Sequence, residues 1–453
     1  MPGLGLDFTS NSTIMSSLNL VSHCRLAKPQ VLPGNGMHHH LIGIFALLLT
    51  VVAFCGCHSR DKVIKKMAEQ KYAGYEKIIK NKDSIPEIIP GNGGLVTIRI
   101  PSDLSESGIN LDEIMDSMYY IRLETDTNAL IGDIDKLLFC DDIIVVVERI
   151  KRQSILLFSR QGKFIGRLGI QGRGPGEYLN FTDVAIDHRK KKIVVLDDRG
   201  EKLMYYDLKG SFISDQRLLY FVNNIAVLND GSYLIGQRKD LNRHLPSVSD
   251  YTLLFAEPDL NISGKSLSYA YRDKFPKNQL SSNHNFNGKK DGVWFNRLFT
   301  DTIYEISGKN AIHAKYYLDM GNKNITNRFN EQTTTDDVFD MLNTQKYFYF
   351  RGKAFETNNY VYFEINANQC YYSKRKNKLY YGSFWKYQNT DLSSRLIETA
   401  RPETSDGRFF VAVLQPYSFM PSLKYKKLSP DLDPILADLR VEDNPLLFFY
   451  SLK

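Results

Sequence analysis

A chain that returns the same strand-and-turn pattern at a fixed step has few folds open to it. Here "IIVVVERIKRQSILLFSRQGKFIGRLG" (residues 143–169) is answered by "KIVVLDDRGEKLMYYDLKGSFISDQ" (residues 192–216). Each reads as an apolar strand, a charged turn, a second apolar strand, a glycine turn and a third strand led by an aromatic residue. Gly162 returns at Gly210 and Phe164 at Phe212, the same 48-residue step. Looser copies follow within residues 231–263, 292–312 and 358–382. Short strands in meander order at this period predict radial four-stranded blades. A solenoid coil is usually shorter, and a two-sheet sandwich would not bring the same turn residues back at one spacing. The expectation is an all-β, six-bladed β-propeller, with seven blades as the alternative count. Residues 118–453 hold six blades at about 50 to 55 residues each.

Such a ring must hide its open edges. "MYYIRLE" (118–124) is an isolated strand near the start of the body and "NPLLFFYSLK" (444–453) another at its end. One is expected to complete a blade begun by the other end of the chain. Just before the last strand, residues 429–439 place Leu432, Ile435, Leu436 and Leu439 on one helical face, with Ser429 as its cap. The 27 Tyr and 26 Phe against 2 Trp suit a strand-rich core. The net charge of +7 is scattered. Its short runs, Arg189 to Lys192 and Lys374 to Lys378, fall between predicted strands, so no nucleic-acid partner is expected. Of five cysteines only Cys140 and Cys370 lie in the body. That leaves a single bridge between them as the only disulfide open to the body, and no zinc spacing.

The N-terminus reads as an address. "LIGIFALLLTVVAF" (41–54) is too short for a comfortable membrane span and right for the apolar region of a signal peptide. Gly56 before Cys57 resembles the lipobox of bacterial lipoproteins, which implies lipidation at Cys57 after cleavage. The two positions before Gly56 hold Phe54 and Cys55 in place of the commoner Leu and Ala or Ser, and the preceding "MHHH" carries no Lys or Arg. Met37 is a plausible start, and His38, His39 and His40 would be discarded with the leader. The expected organisation is therefore an extension and lipoprotein-type signal peptide at 1–57, a tether or stalk helix at 58–94, and the propeller at 95–453. "HSRDK" after Cys57 lacks an acidic export run, which favours a periplasm-facing outer-membrane location over the cell surface in a Gram-negative envelope. The lipid would hold the protein to the membrane without spanning it.

The densest glycine cluster, "GIQGRGPGEYLNFTDVAID" (169–187), lacks the Lys-Ser/Thr pair of a Walker loop and leads into alternating strands instead of a helix. No cofactor is expected from it. It reads as the connection from the outer strand of one blade to the inner strand of the next. Arg173, Glu177 and Tyr178 are its candidate binding residues. Together with "IVVLDDRGEKLMYYDLKGSFI", "DTIYEI" (301–306) and "EDNPLLFFY" (442–450), this loop resembles the NHL-type six-bladed β-propeller lipoproteins of Gram-negative gut bacteria. The resemblance implies the fold and the compartment, and no particular reaction.

No metalloprotease, nucleophile-elbow, paired Cys-x-x-Cys or EF-hand motif occurs. Asp183, Asp197, Asp198, Asn223 and Asn224 lie near predicted strand ends. They are candidate metal ligands (Asp183, Asp197 and Asn223 foremost) if the central channel holds a hydrolase or lyase site, although Asp and Asn at such places usually close turns. His188, His244, His284 and His313 are isolated. The expected function is a membrane-tethered binding or scaffold lipoprotein that holds a protein partner or glycan. A metal-dependent hydrolase or lyase with its site in the channel is the alternative.

Overall fold

The computed structural model describes residues 71–453 apart from 105–107, 239–240, 271–272, 274, 276–284, 290–291, 384, 387–399, 424–435 and 437. The apolar run 41–54, Cys57, His284 and most of the amphipathic stretch 429–439 lie outside the described residues. Six four-stranded antiparallel sheets follow one another along the chain. The inner strands of the six are Lys136–Cys140, Phe181–Asp187, Asn224–Val227, Phe286–Lys289, Phe350–Glu356 and Pro402–Ser405. Each inner strand lies against its neighbour's in the next blade, and the sixth meets the first. This is the expected all-β, six-bladed propeller.

The repeat is visible in the hairpins. Gly162 and Gly210 lie in the turns between the third and fourth strands of blades one and two at φ of 82° and 92°, and each amide closes its turn onto Ser159 or Asp207. Between blades the core is apolar: Leu137, Ile144, Leu156 and Phe158 of blade one pack on Val411, Leu447 and Phe449 of blade six. The two basic runs sit in the tight turns they were assigned to. Cys140 and Cys370 are both buried as free thiols in separate core clusters, so the single bridge is not formed.

Blade six is built from both ends of the body. Pro402–Ser405, Phe410–Leu414 and Leu446–Leu452 come from the C-terminal part, and Met115–Arg122 supplies the outer strand. The pairing runs from Leu446 opposite Arg122 to Leu452 opposite Met115, and Tyr119 stacks on Phe449 at 4.7 Å.

Residues 71–94, assigned from sequence to a stalk helix, lie instead along the rim of the ring. Its residues Tyr75–Lys77 form one short 3-10 turn. Tyr72 is fully buried and stacked on His244, while Ile79 and Ile85 join the core of blades two and three. Further along, Ile88 N–H donates to Lys265 O at 2.8 Å and Gly91 bridges to His313. Val96–Arg99 then adds a fifth, parallel strand to blade four. Ile100 and Leu104 bury against Phe350 and Tyr372, and Ile109–Asn110 pairs with Trp385–Lys386. The chain thus belts blades two to five before it becomes the outer strand of blade six. The physical reason is that Tyr72, Ile79 and Ile85 bury apolar surface that a free stalk would leave in water.

The closing blade gives the first testable expectation. Phe449 is fully buried between Tyr119, Phe139 and Phe409. Phe449→Ala is expected to destabilise the full chain by about 3 to 5 kcal/mol, read as a lower urea midpoint with unchanged slope. An unchanged midpoint would show that the joint is not closed by this pairing.

Candidate functional site

All six inner strands run in the same sense, so their first residues lie on one face of the ring. On the opposite face every connection between strands is at most five residues long. The first face carries the long ones: 123–135, 168–180, 237–250, 269–285, 320–349, 383–401 and 415–445. Two helices stand there. Thr335–Asn343 is closed by a capping box between Thr334 and Asp337, and Pro416–Leu423 precedes the last strand. This loop face surrounds the mouth of the central channel.

The glycine loop lies on this face and is held by its own polar groups. Glu177 carboxylate accepts from Gly174 N–H at 2.8 Å, and a side chain at Gly172 would collide with that carboxylate. Tyr206 hydroxyl donates to Gly176 O at 2.9 Å. Tyr178 is 1 % exposed, donates to Gln153 O at 2.7 Å and packs edge-on to Phe181. Tyr178 and Glu177 therefore shape the loop. Of the three binding candidates Arg173 alone is exposed, lining a shallow cavity of about 550 Å³ with Pro175, Lys202, Phe212 and Asp215.

The candidate metal ligands are not brought to one point. Asp197 is fully buried and accepts from Leu179, Asn180 and Gly200 N–H at 2.8 to 3.1 Å, tying the glycine loop to the next turn. Asp183 joins three blades: it pairs with Lys136 of blade one at 2.8 Å and accepts from Ile225 N–H of blade three at 2.9 Å. Asn223 donates to the Asn224 carboxamide, which also accepts from Asn285. Asp198 takes the amide of Asn180. Among the described residues no group of three or more His, Cys, Asp or Glu is placed to hold a metal ion. His244 is stacked on Tyr72 and His313 lies under the belt at Gly91.

A different cluster stands at the mouth between blades five and six. The inner strand of blade five bulges between Phe350 and Ala354, with Gly352 at φ 77°. A side chain there would meet the backbone of Arg297 and Leu298. The bulge turns Arg351 and Lys353, either side of it, onto one carboxylate. Glu364, 2 % exposed, meets Arg351 at 3.1 Å, Arg401 at 3.5 Å and Lys353 at 4.0 Å, and accepts from Tyr362 hydroxyl at 2.6 Å. The inner strand of blade six shifts register between Pro402 and Thr404, and Glu403 there takes Lys353 at 2.9 Å. Burial alone would raise the Glu364 carboxyl, but Lys353, Arg351 and Arg401 together hold it below its ordinary value. Sequence reading passed over this cluster because Arg351, Glu364 and Arg401 sit on different strands, with no local motif to join them. The one local signal is the glycine between two cations in "FRGKAF".

The model of a domain of unknown function, DUF4934, matches residues 95–451. The chain belongs to this family. Among solved structures, a Bacteroides fragilis protein described as exported superposes with a TM-score of 0.62 at 18 % identity, covering 79 % of this chain and 99 % of its own. A member of the DUF4221 family from Bacteroides vulgatus gives 0.44 at 8 % identity, covering 75 % and 98 %. An inactive virginiamycin B lyase from Staphylococcus aureus, solved with quinupristin, gives 0.37 at 11 % identity, covering 74 % and 99 %. Comparison with functionally curated proteins finds no match. The first of these likenesses supports the propeller fold.

Two outcomes follow. Because the folded pKa of Glu364 is depressed, its stabilisation is fully present above the unfolded value of about 4.3 and is lost as pH falls through the folded value. Glu364→Gln is expected to cost about 3 kcal/mol at pH 7, and the gap to the native chain should narrow below pH 4 in urea melts. A constant gap would remove the carboxylate's role. Asp197→Ala, which orphans three amides, should cost about 2 kcal/mol. It should also speed hydrogen exchange at Leu179 and Asn180, and unchanged exchange there would contradict the loop assignment.

Proposed function

We propose that this DUF4934 protein is an NHL-type binding or scaffold lipoprotein of a Gram-negative gut bacterium. It is tethered through lipidated Cys57 in the cell envelope, faces the periplasm, and holds a protein partner or glycan on its loop face. The single observation that carries this reading is the asymmetry of the ring. Tight turns close one face, and the long connections, the helices Thr335–Asn343 and Pro416–Leu423 and the re-aimed cations of blades five and six gather on the other. Loops on a rigid scaffold are where binding residues concentrate. The likeness to an exported protein supports an envelope or secreted location, and among the described residues no helix is long and apolar enough to cross a membrane. The channel hydrolase is not favoured, because Asp183, Asp197 and Asn223 are spent on joints between blades and turns.

The test is to array envelope proteins and glycans against the full chain and follow the strongest binder. Arg351→Glu on the loop face should abolish its capture, and Lys190→Glu in a turn of the opposite face should leave it intact. Capture that follows Lys190 instead would overturn the assignment. Cys57→Ser should release the chain from the membrane fraction, and retention there would remove the lipid anchor.

A further inference from the structure

The belt shows what the outer edge of a blade in this ring accepts. At blade three it runs beside Ile262–Ser268 in parallel sense, with Ile88 N–H donating to Lys265 O at 2.8 Å and Lys265 N–H to Pro86 O at 3.0 Å. At blade four Val96–Arg99 pairs in parallel with Ala311–Asp319. The outer strand of blade two, Phe212–Arg217, carries no such cover: among the described residues it pairs with Lys202–Asp207 alone. One bond fixes the direction of its backbone groups. Leu218 N–H donates to Glu201 O at 2.8 Å, and the register continues with Arg217 opposite Lys202 and Gln216 opposite Leu203. In an antiparallel ladder such pairs alternate between bonded and open. Gln216 and Ser214 therefore bond to the neighbouring strand, and the N–H and C=O of Asp215 and Arg217 point out of the sheet edge. Ile213, Ser214, Asp215 and Arg217 are exposed along it.

The same edge borders the cavity of about 550 Å³. Phe212, Ser214 and Asp215 line it from the strand, Arg173 and Pro175 from the glycine loop, and Lys202 from the neighbouring strand. Glu177 is turned back to Gly174 N–H, and Asp215 is paired with Lys202 at 3.5 Å. Arg173 is exposed and has no hydrogen bond or ion pair among the described residues. We infer that the outer strand of blade two is a docking edge for an extended segment of a partner protein, which adds a strand there and places an acidic side chain in the cavity against Arg173. Backbone pairing supplies the hold, as the belt does for blades three and four, and the cavity reads the side chain. A basic side chain in that place would meet Arg173 and Lys202 as like charges. This surface lies on the rim and does not depend on the loop-face assignment.

The test titrates the full chain into a fluorescein-labelled synthetic peptide, Thr-Val-Glu-Val-Thr-Val, and into its counterpart with Lys in place of Glu, at pH 7 and fixed ionic strength, reading anisotropy. The native chain is expected to bind the Glu peptide saturably and about tenfold more tightly than the Lys peptide, the difference expected for one charged hydrogen bond. Arg173→Glu should reverse that preference. Asp215→Asn removes a negative charge and should not weaken the Glu peptide. Asp215→Pro removes the same charge and also an outward N–H, which a sheet edge tolerates, and it should abolish binding. Methylating alternate amides of the Glu peptide tests the pairing with the native chain: one set should destroy binding and the other should keep it. No saturable binding, or equal binding by both methylated peptides, overturns the docking edge. An unchanged preference in Arg173→Glu overturns the acidic assignment. If the Glu peptide fails while capture through Arg351 persists, the edge falls and the loop-face function stands.

Discussion

Every other feature of the molecule depends on the pairing of Met115–Arg122 with Leu446–Leu452. A propeller blade cannot hide its outer edge or its flanks by itself, so the ring is stable only when the last sheet meets the first. Here that joint uses a strand from each end of the body, with Phe449 stacked on Tyr119 and Ile121 opposite Leu447. The N-terminal belt extends the same logic. Before the chain reaches blade six at residues 115–122 it has crossed the rims of blades two, three, four and five, adding a parallel strand to blade four on the way. The ring is therefore closed at its seam and also bound from outside, and one segment does both.

Closure fixes the six inner strands in one sense, and that divides the work of the two faces. The face of tight turns leaves little room for variation, because a hairpin of a few residues has few geometries. The loop face carries connections whose length the blades do not restrict. Its polar residues near the channel serve two purposes. Lys136, Asp183, Asn224 and Asn285 pair across blades and hold neighbouring inner strands in register. At blades five and six the bulges break that pattern and aim Arg351, Lys353 and Glu403 at a shared point around Glu364.

Much of the fold was legible because it is periodic. The 48-residue return of Gly162 and Phe164, the alternating strands and the two unmatched terminal strands led directly to the blades and their closure. The belt was not legible, since Tyr72, Ile79 and Ile85 follow no strand period and meet partners far away in sequence. Nor were the helices Thr335–Asn343 and Pro416–Leu423, which interrupt the repeat. The candidate site was legible only in part. The glycine loop was placed correctly as a connection between blades, yet Tyr178 is a core residue and Glu177 folds back on its own loop. Asp197 does close local structure, as Asp at strand ends usually does, whereas Asp183 joins neighbouring blades. The Glu364 cluster was hidden because a bulge is a property of two paired strands, and a sequence shows only one at a time.

The central claim is that the ring closes through the pairing of Met115–Arg122 with Leu446–Leu452. Its most direct test is native-state hydrogen exchange of the full chain. The account predicts that amides of these two strands open only with global unfolding. Exchange there far faster than in the inner strands of the other blades would contradict it.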